Sequence, residues 1–194
     1  MEKKLMVYKE DKNIKISITG DLGSGKSTVC KLIMAQHGLK VYSIGSIQRS
    51  LAQKYNMSTL DFNKYMETHT EIDEEIDSTL AEIGRREEDM ILDSRMAWHF
   101  VPQSFKVYLT VDINVAAERI CSADRGSVEA YSSVEEARSQ ILQRKSSENY
   151  RYMSKYKVDC SDMNNYDLVV DTTNRTPQEI ADIIMSEYLS HRAC

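Results

Sequence analysis

A glycine-rich stretch near the start of the chain has the residue types of a phosphate-binding loop. It reads GDLGSGKS from Gly20 to Ser27 and fits the pattern GxxxxGK[ST] at every fixed position. Glycines let the backbone wrap closely around a phosphate, so that N–H groups and the start of the following helix face the anion. Lys26 would reach the β- and γ-phosphates, and the Ser27 hydroxyl would ligate Mg²⁺. The sequence therefore predicts an ATP site with Mg²⁺. Its residues are Gly20, Gly23, Ser24, Gly25, Lys26, Ser27 and Thr28.

Three classes of P-loop protein share such a stretch. A GTPase needs an NKxD motif that reads guanine, but the Asn63-Lys64 pair is followed by Tyr65 and Met66 inside a helical segment. A motor ATPase needs an apolar run that ends in paired acids, whereas ILDS at 91–94 has one acid. A small kinase fits better, because it must hold a second anionic substrate in line with the γ-phosphate. Two alternatives stay open: a P-loop kinase of another metabolite, such as shikimate or gluconate, and a regulatory protein that binds ATP without turnover.

Arginine side chains are placed to hold that second substrate. A planar guanidinium group grips a phosphate through two parallel N–H donors. Arg49 follows the second predicted strand and Arg95 ends the third, so both are expected at the carboxyl edge of the sheet, beside the phosphate loop. A further set has i, i+4, i+7 spacing on one helical face. Its members are Arg144, Glu148 and Arg151.

Alternating strands and helices must position these side chains. Short apolar runs predict five strands, at 14–19, 40–44, 90–93, 105–111 and 166–171. Helical spacing fills the intervals, with a mobile loop at 122–132 and a long polar helix or helix pair at 134–156. In the helical segment 71–87, acidic residues are expected on the face opposite the apolar one. This order predicts an α/β fold with a parallel sheet flanked by helices.

Composition restricts the class of protein. The 194 residues suffice for one α/β domain, and 41% hydrophobic and 28% charged residues are typical of a globular protein. The net charge of −5 argues against a nucleic-acid partner, whose phosphates bind clustered basic residues. No apolar run reaches the roughly 20 residues of a membrane span, the first residues lack a signal peptide, and the four cysteines form no CxxC pair. We therefore expect a cytoplasmic protein that acts on small molecules, without nucleic-acid or membrane partners.

Several ordered segments resemble the cytidylate kinases, most closely the short cytidylate-kinase-like type. These segments are the phosphate loop, YSIGSIQR, ILDSRMAWHF, VYLTVDINVAAERI and ENYRYMSKYKVDCSDMNNYDLVVDTT. The resemblance runs from Ile14 to about Tyr188 and implies the P-loop fold of a nucleoside monophosphate kinase in one domain, 1–194. A helical insertion would bind the acceptor at 57–86, and a lid would lie at 121–156. The core would comprise residues 14–56, 87–121 and 157–194.

The resemblance also implies roles for individual residues. Gly45 and Arg49 would hold the acceptor nucleotide, and Asp93 and Arg95 match an Asp-x-Arg motif at its phosphate. Arg119 would look toward ATP from the base of the lid. The expected catalytic residues are Lys26, Arg95, Arg119 and Arg151. The residues expected at the acceptor are Gly45, Arg49, Asp93, Arg95, Arg144, Glu148 and Arg151.

The reaction implied is transfer of a phosphoryl group from Mg·ATP to a nucleoside monophosphate, CMP or dCMP, giving the diphosphate and ADP. The resemblance further implies a monomer. Arg125 is a candidate lid arginine. No residue can be identified from the sequence as the reader of the acceptor base.

Overall fold

A computed structural model describes residues 13–122 and 131–193 of the chain. Its centre is a five-stranded sheet in which all neighbouring strands run parallel, in the order β2-β3-β1-β4-β5. The strands are β1 (Lys15–Gly20), β2 (Lys40–Ser43), β3 (Met90–Asp93), β4 (Phe105–Thr110) and β5 (Leu168–Asp171). The predicted parallel α/β fold is confirmed, and each predicted strand is present with bounds shifted by at most two residues.

Eight α-helices connect and cover these strands in the described part of the chain. They are α1 (Lys26–His37), α2 (Ile44–Lys54), α3 (Thr59–Met66), α4 (Thr70–Gly84), α5 (Ala97–Phe100), α6 (Ile113–Ser122), α7 (Val134–Tyr156) and α8 (Pro177–Ala193). The polar segment that could be one helix or two is a single helix, α7. The short helix α5 has no counterpart in the sequence-based prediction. Of the predicted loop at 122–132, residues 123–130, which include Arg125, lie outside the described residues.

Local sequence explains where several of these helices begin and end. Gly38 stops α1 in the left-handed region, at φ 73°, and its N–H donates to the Met34 carbonyl oxygen. The Ser58 and Ser133 hydroxyls each accept a hydrogen bond from a backbone N–H in the first turn of α3 and α7. Pro177 opens α8, where its missing N–H costs no helical hydrogen bond.

The sheet is buried on both faces. Ile16 and Ile18 of β1 have no exposed surface and belong to a core that includes side chains of α1 and α8. Met90 and Leu92 of β3 face the other side and pack with residues of α2, α3 and α4. Continuous apolar strands of this kind are typical of a parallel sheet covered by helices.

The carboxyl edge of the sheet carries the candidate site. In the register of the three neighbouring strands, Ile18 of β1 and Ser43 of β2 both lie beside Asp93 of β3. The phosphate loop, the start of α2 and the segment after β3 therefore leave the sheet side by side. The strand order reverses at β1, which lies between β3 and β4. Such switch points are where open α/β sheets bind ligands.

The predicted division into core, acceptor-binding insertion and lid stays a prediction. The proposed insertion, 57–86, contains α3 and α4, which pack on the β3 side of the sheet. The proposed lid, 121–156, contains α7, which packs closely on α6. Among the described residues, no helix combines the length and the apolar character needed to cross a bilayer.

Candidate active site

Close backbone approaches dictate the path of the phosphate loop. Gly20 has φ +146°, and a Cβ there would lie 2.3 Å from the carbonyl oxygen of Leu109 on β4. Gly23 has φ +80°, and a Cβ there would lie 2.8 Å from the backbone of Ala116 on α6. Side chains at these two positions would collide with backbone atoms, so the loop has the glycines that its path requires. The cradle that they leave open, followed directly by the N-terminus of α1, fits a chain of phosphates.

The Lys26 ammonium is folded back into this loop. Its Nζ donates hydrogen bonds of 2.8 Å to the carbonyl oxygens of Gly20 and Asp21. Burial, followed by repulsion from Arg95, lowers the pKa of Lys26 to about 7. A triphosphate in the loop would bring negative charge next to this amine and would favour its protonated form. Lys26 is therefore suited to become fully protonated when a triphosphate binds.

Oxygen atoms suited to a magnesium ion lie beside the loop. Ser27 Oγ donates to Asp93 Oδ2 at 3.3 Å, and Ser43 Oγ donates to the same oxygen at 2.9 Å. Hydroxyl and carboxylate oxygens are the ligands that Mg²⁺ prefers, together with water and substrate phosphates. The donor set fits Mg²⁺, with Ser27 as the predicted ligand and Asp93 next to it. Asp93 thus lies against the phosphate loop as well as on the acceptor side.

A second charged contact ties the loop to the long helix α7. Lys145 Nζ lies 2.7 Å from Asp21 Oδ1, and the Tyr108 hydroxyl donates to the same oxygen at 3.0 Å. The N–H of Val111 donates to the other Asp21 oxygen at 3.4 Å. Sequence reasoning missed Lys145 and Tyr108, because only the folded chain brings them to the loop. Their contacts neutralise a carboxylate that would otherwise repel a triphosphate.

Glu148 is buried between two arginines. Its Oε2 lies 2.8 Å from Arg95 Nε and its Oε1 lies 3.0 Å from Arg144 Nε, with 5% of the glutamate side chain exposed. Burial alone would raise the pKa of this carboxyl, but Arg95, Arg144 and Arg151 overcome it and lower the pKa to about 2. Although burial opposes it, Glu148 in turn raises the pKa of Arg95. The predicted acceptor residue Glu148 is therefore positioned to hold two guanidinium groups in a fixed orientation.

One cleft brings most of the predicted residues together. Arg49, Arg95, Arg144 and Glu148 line it, together with the phosphate-loop residues from Gly23 to Thr28 apart from Ser24. Gly45 and Asp93 also line it. Among the residues that the structure describes, Arg49 makes no ion pair or hydrogen bond, so its guanidinium group is available to a ligand. The cleft can therefore accept one polyphosphate at the loop and a second anion at the arginines.

Two arginines that are predicted to be catalytic, Arg119 and Arg151, do not line this cleft. The Arg151 Nη1 donates to the Asn63 carbonyl oxygen at 3.2 Å, and its Nε lies 3.5 Å from Asp73 Oδ2. Arg151 therefore joins α7 to α3 and α4 and does not line the cleft. Arg119 donates to the carbonyl oxygens of Thr172 and Thr173 at 2.9 and 3.1 Å, beyond the end of β5. Its other contacts, each 3.5 Å, include the Gly23 carbonyl oxygen of the phosphate loop.

The far end of the cleft holds residues that sequence reasoning missed. Asp73, Ile76 and Asp77 of α4 face Ile44 and Gln48 of α2 across it. The expectation that the acidic residues of α4 lie on a solvated face is wrong for these two aspartates, which are only 4% and 8% exposed. Their spacing of four residues places them on one side of the helix, where Arg151 and Tyr156 of α7 contact them. Burial raises the pKa of both, for Asp77 to about 6.

Comparisons with solved structures place this fold among P-loop kinases. Shikimate kinase from Bacteroides thetaiotaomicron superposes with a TM-score of 0.60 at 15% identity, covering 91% of this chain and 98% of that one. Deoxyadenosine kinase from M. mycoides superposes with a TM-score of 0.52 at 19% identity, covering 91% and 99%. At such low identity the likeness establishes the fold alone.

Sequence comparisons give the family. The profile of the cytidylate kinase-like family matches residues 15–174. The cytidylate kinase of Sulfurisphaera tokodaii is 37% identical over 171 residues, covering 87% of this chain and 92% of that protein. That of Methanobrevibacter smithii is 33% identical over 171 residues, covering 88% and 96%. An S-adenosylmethionine-dependent nucleotide dehydratase from Lacinutrix mariniflava is 33% identical over 180 residues, but these are only 37% of its length. The chain therefore belongs to the cytidylate kinase-like family and is a P-loop nucleoside monophosphate kinase.

Proposed function

We propose that this kinase transfers the γ-phosphoryl group of Mg·ATP to CMP or dCMP, giving the diphosphate and ADP. The observation that carries the proposal is the single cleft that the phosphate loop shares with Arg49, Arg95 and Arg144. These arginines come from three different elements and converge on the place where a second anion would meet the γ-phosphate. Membership of the cytidylate kinase-like family supports cytidine nucleotides as the acceptors.

Phosphoryl transfer requires the protein to position the two substrates and to balance their negative charge. The attacking oxygen belongs to a phosphate that is already ionised at neutral pH, so no general base is required. Lys26 would balance charge on the phosphates of ATP. Ser27 and Asp93 would hold magnesium, which would supply charge neutralisation at the phosphates of ATP. Arg49 and Arg95 would draw the acceptor phosphate into line against the repulsion between two polyanions.

The contacts of Glu148 with the cleft arginines support these proposed roles. Because one oxygen of Glu148 accepts the Nε–H of Arg144 and the other forms an ion pair with Arg95, both guanidinium groups are held in a fixed place. Arg119 and Arg151 were predicted to be catalytic. We propose that in the state described here they hold α6 and α7 in place, and that motion of the lid region, 121–156, brings either one to the phosphates.

The experiment is coupled release of ADP with Mg·ATP and a panel of acceptors: CMP, dCMP, UMP, AMP, GMP, shikimate and gluconate. We expect CMP or dCMP to give the highest kcat/KM. Lys26→Ala should lower kcat by orders of magnitude, whereas Arg95→Ala should mainly raise the KM of the acceptor. Preference for shikimate or gluconate would reassign the chain to metabolite kinases. A flat panel with ATP still bound would make it a regulatory ATP-binding protein.

We further infer a cytoplasmic monomer. Cys30 and Cys160 are buried free thiols, as is common in a reducing compartment. The phosphate loop and the arginines proposed to hold the acceptor line one cleft of a single chain, which supports catalysis without a second copy. Light scattering coupled to gel filtration tests the monomer, and a dimer mass would contradict it.

A further inference from the structure

The end of the cleft remote from the phosphate loop has the opposite charge to the rest of it. Along α7, Lys145 contacts the phosphate loop, Glu148 contacts Arg95, and Arg151 and Tyr156 contact Asp73 and Asp77, so these two aspartates of the cleft lie farthest from the loop. A nucleoside monophosphate is equally two-sided, with a dianionic phosphate at one end and a neutral, flat base at the other. Carboxylates repel phosphate and arginines attract it, so the base must occupy the aspartate end. The apolar side chains of Ile44 and Ile76, which line the same end, suit the faces of a base.

The two aspartates are not equivalent. Asp73 has a cationic partner, because its Oδ2 lies 3.5 Å from Arg151 Nε. Asp77 has no cationic partner among the described residues, and its Oδ2 accepts a hydrogen bond from the Tyr156 hydroxyl. The other oxygen of Asp77 accepts no hydrogen bond within the described part of the chain. That contact with Tyr156 fixes the carboxyl plane while leaving Oδ1 for a ligand.

Gln48 presents a second unsatisfied polar group to the same space. It is 7% exposed, and its amide makes no hydrogen bond to any described residue. Buried polar groups in folded proteins are nearly always paired. The Gln48 amide and the free oxygen of Asp77 line one end of one cleft and are open to it, which suits a ligand that offers hydrogen-bonding atoms along a flat edge.

We propose that Asp77 determines acceptor specificity by accepting a hydrogen bond from the exocyclic amino group of the base. This inference rests on the proposed function, since it presupposes a nucleoside monophosphate in the cleft. Cytosine carries an amino group at the position where uracil carries a carbonyl oxygen. Against uracil, the lone pairs of the carbonyl oxygen would face those of the carboxylate, leaving a buried charge unpaired. Asp77 therefore selects cytosine over uracil, and Gln48 serves the remaining polar atoms of either base.

The pKa of Asp77 agrees with this assignment. Burial raises it to about 6, despite the hydrogen bond from Tyr156. The charge of Asp73 raises this pKa further, whereas Lys155 and Arg151 lower it. At neutral pH the carboxylate still predominates, so the group accepts and does not donate.

The first test compares CMP, UMP and a CMP analogue that has hydrogen in place of the 4-amino group, using wild-type protein. We expect kcat/KM to fall roughly 10- to 100-fold from CMP to the analogue, as for loss of a hydrogen bond to a charged group. UMP should be at least as poor. Equal use of CMP and the analogue would overturn the inference without any variant being made.

The second test uses D77N, with E75Q as the matched control. Glu75 is exposed on the same helix, and E75Q removes one negative charge as D77N does. The amide of D77N can still accept from Tyr156 and can turn its N–H₂ toward the uracil oxygen, so the CMP-to-UMP ratio of kcat/KM should fall about 10-fold or more. E75Q should keep the wild-type ratio. A D77N protein that retains the wild-type ratio would overturn the inference.

The two proposals fail in different ways. A wild-type enzyme that phosphorylates no nucleoside monophosphate contradicts the proposed function and this inference with it. A wild-type enzyme that phosphorylates CMP and the amino-free analogue equally leaves the kinase assignment intact and removes only the role of Asp77.

Discussion

Replacing Glu148 with glutamine tests how the cleft is held together. One carboxylate oxygen accepts the Nε–H of Arg144 at 3.0 Å, and the other forms an ion pair with Arg95 Nε at 2.8 Å. The amide of E148Q has a single oxygen, so one arginine would keep its partner and the other would face an N–H₂ donor. Because the amide carries no charge, the variant also removes the Glu148 anion from both guanidinium groups.

The magnitude follows from the pKa of the glutamate. The carboxyl titrates at about 2, against an ordinary value of 4.5, and this difference corresponds to about 3 kcal/mol of unfolding free energy. Removing one partner of a buried ion pair costs about 3–5 kcal/mol in other proteins, which agrees. For a chain of this length we expect Tm to fall by roughly 6–12 °C.

Urea unfolding followed by the fluorescence of Trp98 measures the effect. The control is E135Q, which removes an exposed carboxylate from the first turn of the same helix and should change the unfolding free energy by less than about 0.5 kcal/mol. In kinetics, E148Q should also raise the KM of the acceptor more than that of ATP, because the two affected arginines lie between the loop and the acceptor end.

The pH dependence provides a separate check. The folded-state pKa of Glu148 is lower than its unfolded value, so the stabilisation is complete above about pH 4.5 and declines as the pH falls toward 2. The difference in stability between wild type and E148Q should therefore shrink on acidification from pH 5 to pH 3. A difference below about 1 kcal/mol at pH 7, or one that does not shrink in acid, would refute the reasoning.

Three further predictions concern the phosphate loop. The pKa of Lys26 is about 7 in the free protein, so ATP binding at pH 8 should take up ~1 proton. Calorimetry in two buffers of different ionisation enthalpy measures this proton uptake, and Lys26→Arg should abolish it. Gly20→Ala places a Cβ 2.3 Å from the Leu109 carbonyl oxygen, so Tm should fall by several degrees, and an unchanged Tm would contradict the geometry. Chelation of Mg²⁺ should abolish turnover. Asp93→Asn should raise the Mg²⁺ concentration needed for half-maximal rate, and an unchanged concentration would show that Asp93 does not act on the metal.

Local patterns explain why the phosphate loop and the sheet could be predicted from sequence. The glycines of the loop and the lysine that follows are a contiguous signature, and alternating apolar residues mark the strands. Arg49 and Arg95 could be placed in the cleft because each lies in the segment that leaves the end of a strand, and parallel strands all end at the same edge. These inferences need only the order of elements along the chain.

Arg151 shows where such reasoning stops. Its spacing from Arg144 keeps it on the same side of α7, as predicted. Seven residues are about 10 Å along a helix axis, however, and over that length the neighbour of α7 changes from the cleft to α3 and α4. A helical repeat gives direction around the axis, but the packing partner at each level depends on tertiary structure.

The aspartates of α4 were missed for a related reason. The segment EIDEEID has the high charge of a solvated face, and nothing local distinguishes Asp73 and Asp77 from Glu74 and Glu75. Only the contacts of α7 with one side of the helix, which faces the cleft, separate two buried acids from two exposed ones. Burial, and with it the raised pKa, is a property of the assembled fold.

The contacts that α7 makes along its length have a consequence for how this enzyme could be altered. Along its length the helix contacts the phosphate loop through Lys145, Arg95 through Glu148, the Asn63 carbonyl oxygen through Arg151 and Asp77 through Tyr156. A change on α7 therefore disturbs the donor and acceptor ends together. A change on the facing side of α4 or α2 touches the acceptor end alone. New acceptor preferences, in the laboratory or in the divergence of relatives, should accordingly accumulate on α2 and α4 while α7 stays nearly unchanged.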